Sequence, residues 1–207
     1  MADVTLIDYG VGNIRAFANI YARLNLTVEI ATTPRDIARA KRLVLPGVGA
    51  FDWAMKRLSD SGMRDALDVQ VLDRRTPIIG VCVGMQMTAK SSEEGKLSGL
   101  GWLDAHVVRL SPASNQNMPL PHMGWNDVRP KRTDAIFDRI SNPRFYFLHS
   151  FVFVPTNSDD ILAETSYGGS FVSAVQRRNV YGTQFHPEKS HKWGISLLSN
   201  FAMLPSC

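Results

Sequence analysis

The sequence predicts an α/β fold: a mostly parallel central sheet flanked by helices, with some antiparallel additions in the second half. Three observations carry this reading. Residues 4–7, 43–45 and 77–81 are short, unbroken apolar runs of the kind found in strands buried on both faces. Between them, apolar residues recur at helical spacing, so strand and helix alternate as in parallel sheets. Beyond residue 100, apolar stretches follow one another with little helical pattern between them, which favours antiparallel pairing.

Taken in order, the run at 4–7 is a strand that ends in the tight turn Asp8-Tyr-Gly-Val-Gly12. Ile14, Phe17, Ala18, Tyr21 and Leu24 then line one face of a helix. Residues 27–31 read as the second strand and 43–45 as the third, stopped by Pro46-Gly47. Helices follow over 50–58 and 63–73, a fourth strand over 77–81, and a helix over 84–90. Strands are expected over 102–109, 145–154, 161–165, 171–176 and 180–185, and a closing helix over 191–204. In parallel α/β sheets, chemistry gathers at the carboxyl ends of the strands. "DYGVGN", "LPGVGAF" and "GVCVGMQ" all lie at such ends.

A chain of 207 residues, 44% hydrophobic, can bury one sizeable core, and no stretch has linker composition, so residues 1–207 are expected to form one domain. The net charge is +4, with basic residues scattered apart from short groups at 129–132 and 177–178. That distribution argues against nucleic acid as a partner, since nucleic-acid binders concentrate charge on one face. The two cysteines, Cys82 and Cys207, make no disulfide framework and suit a reducing compartment. The N-terminus lacks the pattern of a signal peptide, and no run of about 18 apolar residues is present, so a cytoplasmic protein without membrane contact is expected.

Gly80-Val-Cys-Val-Gly84 fits the nucleophile elbow with cysteine in the place of serine. The nucleophile of an elbow sits on a cramped strand-to-helix turn, where side chains two residues away on either side would collide. From this pentapeptide alone, a buried structural cysteine remains the competing reading. A thiol nucleophile needs a base, and the base needs a group to orient it. "QFHPEKS", at the end of an apolar strand, offers His186 as the base, with Glu188 two residues on to hold the far imidazole nitrogen. The N–H of Val83 is a natural oxyanion donor, and Gly47, Val48 and Gly49 in "PGVG" can supply a second because glycine lets a peptide turn toward or away from the site. His106, His122 and His149 have no metal-like spacing, so no metal is expected. Gly10-Val-Gly12 lacks the third glycine of a dinucleotide fingerprint, since position 15 is arginine, so no cofactor is expected either.

These motifs together resemble the class I (triad-type) glutamine amidotransferases, and among them the glutaminase subunits of imidazole glycerol phosphate synthases. The likeness spans the chain through "IDYGVGNIRA", "LPGVGAFDWAM", "GVCVGMQM", "SSEEGKLSGLG", "LPHMGWNDV", "FYFLHSF" and "YGTQFHPEKSHKWGISLLSNF". The resemblance implies a flavodoxin-like sheet and Cys82, His186 and Glu188 as the triad, with Gly47, Val48 and Gly49 as the oxyanion strand. It implies that Gln86, Glu94, Ser150 and Phe151 hold the substrate glutamine. It also implies that Asn13, Met123, Trp125 and Asn126 lie toward a (β/α)8-barrel cyclase subunit forming a heterodimer. Little sequence follows the histidine motif to build an acceptor site, so the ammonia is expected to pass to that second protein. Alternative readings are a paralogous glutaminase subunit feeding a sugar amidotransferase in surface-polysaccharide synthesis, a cysteine peptidase, and a non-enzymatic interaction module.

Overall fold

The computed structural model describes residues 2–111 and 118–205; Cys207, read above as unpaired, lies outside the described residues. The strands are β1 Val4–Ile7, β2 Val28–Ala31, β3 Leu43–Gly47, β4 Ile78–Cys82, β5 Ser91–Ser92, β6 Ala105–Arg109, β7 His122–Asp127, β8 Arg129–Pro130, β9 Arg144–His149, β10 Phe151–Pro155, β11 Ile161–Ser166, β12 Ser170–Arg177 and β13 Val180–Thr183. The helices are α1 Ile14–Arg23, α2 Pro34–Ile37, α3 Phe51–Asp60, α4 Arg64–Asp68, α5 Val83–Gln86 and α6 His191–Ala202.

The central sheet runs β2-β1-β3-β4-β13-β12-β10-β6-β5. Its first five strands are parallel. From β13 onward the pairing turns antiparallel through β12, β10 and β6, with β11 attached to β12. Every residue of β1, β3, β4 and β13 is buried, as unbroken apolar runs require when helices cover both faces. The amphipathic helices pack one face each: Ile14, Phe17, Ile20 and Tyr21 from α1, and Phe51, Ala54, Met55 and Leu58 from α3. Asn13 caps α1, its side chain accepting from the N–H of Ala16.

Register fixes what stands at the sheet's carboxyl edge. Gly47 pairs with Cys82 at the ends of β3 and β4, and Thr183 of β13 pairs with Val81. The end of "PGVG", the cysteine and the start of "QFHPEKS" therefore leave the sheet side by side.

Several sequence expectations shift. The helix expected over 63–73 divides into α4 and a wider π-type turn at Val69–Asp73. That turn faces Gln70 inward, where its side chain donates to the Ala38 carbonyl (3.0 Å) and accepts from Thr76 Oγ1 (2.8 Å). The helix expected over 84–90 stops at Gln86. The strand expected over 145–154 is two strands in different sheets: β9 pairs with β7 in a separate ribbon, β10 joins the central sheet, and Ser150 is the joint. The apolar pattern of this stretch gives no hint of the change, because both halves bury side chains.

Candidate active site

Cys82 ends β4 and holds φ +55° and ψ −114°, a conformation that costs an ordinary residue on the order of 1–3 kcal/mol. Close packing enforces the strain. A Cβ on Gly84 would overlap the Leu45 carbonyl oxygen, and one on Gly47 would overlap the Gly84 nitrogen, so the turn after the cysteine lies flat against β3. Cys82 is 4% exposed, and its thiol faces the Leu148 carbonyl at 3.9 Å. The Val83 N–H opens α5 beside it.

His186 is buried and anchored by its backbone: its N–H donates to the Tyr146 carbonyl (2.8 Å), and its carbonyl accepts from Ser190 Oγ (2.6 Å). Its Nδ1 lies 2.8 Å from Glu188 Oε1, and both side chains are almost wholly enclosed. Burial by itself pushes this imidazole down. The hydrogen bonds and charges of Cys82 and Glu188 outweigh burial and carry it up to about 10. Among the described residues, the second carboxylate oxygen, Glu188 Oε2, is buried without a hydrogen-bond partner, so the carboxylate's bonding is spent on the imidazole. Thiol, imidazole and carboxylate thus stand in the order that acyl-transfer triads require.

A cavity of about 390 Å³ opens onto this group, lined by Val48, Gly49, Cys82, Val83, Gln86, Glu94, Ser150, Phe151 and His186 among others. The structure therefore brings the three residues expected to form the triad together with most of the residues expected around the substrate. Gly49 holds φ +84° with open space around its Cβ position, a conformation for which only glycine is suited. Glu94 Oε2 accepts from the Phe51 N–H (2.9 Å) at the start of α3, which pins the acid to the cavity rim. The Gln86 amide nitrogen donates both to the Phe151 carbonyl (3.2 Å) and to Gln184 Oε1 (3.0 Å).

Sequence reasoning missed Gln184, whose Nε2 lies 3.8 Å from Cys82 Sγ. It directly follows the end of β13 at Thr183, within "QFHPEKS". Arg109 and Lys189 also line the cavity and carried no assignment from the sequence. The ribbon of β7 and β9 divides the residues expected toward a partner. Met123 (65% exposed) and Trp125 lie on its outer face, and Trp125 stacks on His191 with ring centroids 5.3 Å apart. Asn126 turns to the other face and bonds to His122 and to the Ser166 carbonyl.

The ribbon's register also sets His122 opposite His149 and places the two rings in hydrogen-bond contact, 3.0 Å between Nδ1 and Nε2, which sequence spacing did not reveal. Burial holds both imidazoles low, His122 at about 4 and His149 at about 3. The unfolded chain takes up protons at these groups near pH 6.5 and the folded chain does not, so their contribution is full above pH 6.5 and is lost as pH falls through 4. Urea unfolding should show stability falling as pH drops from 6.5 to 4.5, by about 1.4 kcal/mol per pH unit for each proton. His122→Phe should roughly halve that slope, and an unchanged slope in the variant contradicts the assignment. Among the described residues, no group of three or more His, Cys, Asp or Glu could hold a metal ion.

Comparison with known proteins fixes the class. The family described as "Glutamine amidotransferase class-I" matches residues 5–204. The sequence is 50% identical to an imidazole glycerol phosphate synthase subunit HisH of Bdellovibrio bacteriovorus over 96% of this chain and 98% of that one. It is 46% identical to the HisH subunit of Leptospira interrogans over 97% and 100%. The solved structure of a putative GMP synthase subunit from Thermoplasma acidophilum shares the fold, with a TM-score of 0.71 at 22% identity, covering 96% of this chain and 91% of that one. The chain belongs to the class-I glutamine amidotransferase family, and within it to the HisH subunits of imidazole glycerol phosphate synthase.

Proposed function

We propose that Cys82, His186 and Glu188 hydrolyse glutamine to glutamate and ammonia, within a single domain spanning residues 1–207. By its family the chain is the glutaminase subunit of imidazole glycerol phosphate synthase and acts in histidine biosynthesis. The observation that carries the site assignment is the strained cysteine sharing one cavity with a buried histidine–carboxylate pair.

His186 takes the Cys82 proton, and the thiolate attacks the side-chain amide carbon of glutamine. The Val83 N–H, with a peptide N–H from Gly47–Gly49, receives the oxyanion. His186 then protonates the departing nitrogen, ammonia leaves, and a thioester remains. Water, deprotonated by His186, cleaves the thioester to glutamate and restores the thiol. Glu188 keeps the imidazole oriented and stabilises its charged form. Gln86, Glu94, Ser150 and Phe151 hold the substrate. Because both amide protons of Gln86 are committed to Phe151 and Gln184, its oxygen is the atom left to accept from the ligand.

Ammonia protonates in water and ceases to be a nucleophile, so direct transfer to a docked acceptor is the economical arrangement. The partner in this reading is a (β/α)8-barrel cyclase subunit, joined as a heterodimer through the face that carries Asn13, Met123 and Trp125. Exposed Met123, Leu148 and Val48 form an apolar margin beside the cavity that suits such docking. No helix of the described residues is long and apolar enough to cross a membrane, and the free thiol of Cys82 suits the cytoplasm.

The Gly47–Gly49 peptide is taken to sit turned away until the partner binds its own ligand. Missing one oxyanion donor costs on the order of a hundredfold in rate. The test is glutamate release by the chain alone, with the cyclase subunit, and with the cyclase subunit plus its ligand. Slow release alone and a rise of about a hundredfold in the full complex are expected; rapid release by the isolated chain would rule out the turned-away peptide. No release in any state would rule out the triad.

A further inference from the structure

The triad leaves a buried histidine pair unused, although it reaches the substrate cavity. His149 Nδ1 lies 2.9 Å from the Phe151 carbonyl oxygen, which can only accept, so Nδ1 carries the proton and Nε2 is an acceptor. His122 Nδ1, 3.0 Å from that Nε2, must therefore donate, leaving His122 Nε2 as an acceptor. Asn126 Nδ2 supplies the matching donor at 3.3 Å and gives its other proton to the Ser166 carbonyl at 2.9 Å. One proton arrangement satisfies every bond, and both rings are neutral in it. A further proton on either ring would set two donors face to face.

The chain of bonds continues past His149. The Phe151 carbonyl that accepts from it also accepts from Gln86, Gln86 donates to Gln184, and Gln184 reaches Cys82 Sγ. His149, Ser150 and Phe151 line the cavity and form the joint where the backbone leaves the ribbon for the central sheet. Aromatic packing shields the bridge from water: His122 lies stacked between Phe147, at 4.8 Å, and Tyr167, at 4.0 Å.

We infer that His122 and His149 are positioning residues for glutamine: a neutral two-imidazole bridge from Asn126 that fixes the Phe151 carbonyl, and through it the orientation of the Gln86 amide toward the substrate. This rests on the glutaminase reading. Without the bridge, Gln86 can rotate, and glutamine binds less well while the chemical step at Cys82 is largely retained.

The test is glutamine kinetics of the full chain in complex with its cyclase subunit. His122→Phe keeps the ring stacking and removes both hydrogen bonds; KM for glutamine should rise about tenfold with kcat within about threefold of wild type. His122→Asn keeps a donor toward His149 and should return KM to within about threefold. Asn126→Asp replaces the donor to His122 by an acceptor at constant shape, so it should raise KM even if His122→Phe fails to fold. A wild-type KM in His122→Phe, or equal increases in His122→Phe and His122→Asn, overturns the inference. So does an Asn126→Asp variant that loses only affinity for the cyclase subunit. A wild-type complex that hydrolyses no glutamine overturns the glutaminase reading and this role with it, whereas an active wild type with unaffected variants overturns this role alone.

Discussion

Cys82→Ala is expected to abolish glutamine-dependent synthesis, by on the order of 10⁴-fold or more, while ammonia-dependent synthesis by the same complex stays near wild type. The proposed thioester forms on this thiol, and the neighbouring His186 and Glu188 side chains are held to each other by a hydrogen bond. Alanine fits the space; the sulfur's contacts to Leu148 and Gln184 are long, so the substitution chiefly removes the interaction with His186. The fold and the docking face should therefore be undisturbed. Measuring both nitrogen sources on one preparation separates loss of chemistry from loss of assembly. Glutamine-dependent turnover above a tenth of wild type would show that Cys82 is not the nucleophile described, whereas loss of ammonia-dependent turnover as well would show that the substitution disturbs the fold or the docking face.

Gly84→Ala should have the next largest effect. Its Cβ would overlap the carbonyl oxygen of Leu45, a backbone atom in the middle of the parallel sheet that has no free room to yield. Either β3 or the elbow must move, at a cost of roughly 1–3 kcal/mol in stability. Movement of the elbow carries Cys82 and Val83 away from His186 and the oxyanion position, so at least a hundredfold loss of glutaminase rate is expected. Gly62→Ala is the control. Gly62, unlike Gly84, sits at positive φ, +70°, but its Cβ meets nothing, so the variant should lose about 1 kcal/mol with unchanged turnover. Equal activities in the two variants, read by glutamate release alongside thermal unfolding, would refute the packing argument.

Much of the site was legible because the chemistry lies in short local patterns. The glycines around Cys82 and the His-Pro-Glu triplet each carry their geometry within a few residues: a strained turn in one, and an imidazole held by a carboxylate two positions away in the other. The sequence resemblance extended this to Gln86, Glu94, Ser150 and Phe151. Less legible were contacts that depend on strands meeting. The stretch 145–154 reads as one strand, yet Ser150 is where it changes sheets. The segment 122–127 carries only two apolar residues, Met123 and Trp125, too few to mark a strand, yet it pairs along its whole length with β9. Asn126 reads as a neighbour of Trp125, yet the strand's pleat sends the two side chains to opposite faces.

What the sequence by itself determined is the alternation of buried strands and amphipathic helices, the strained elbow, and the choice of Cys82, His186 and Glu188 as candidate nucleophile, base and orienter. Each is set by neighbours in the chain, through hydrophobic periodicity, glycine's lack of a Cβ, and the reach of a side chain two residues away. What only the tertiary structure decided is the pairing of His122 with His149, the anchoring of Gln86 by Phe151 and Gln184, and the face on which Asn126 lies. Those contacts join residues from 27 to 98 positions apart in the chain. Their geometry comes from sheet register, a cooperative property of the packed strands that no local pattern encodes.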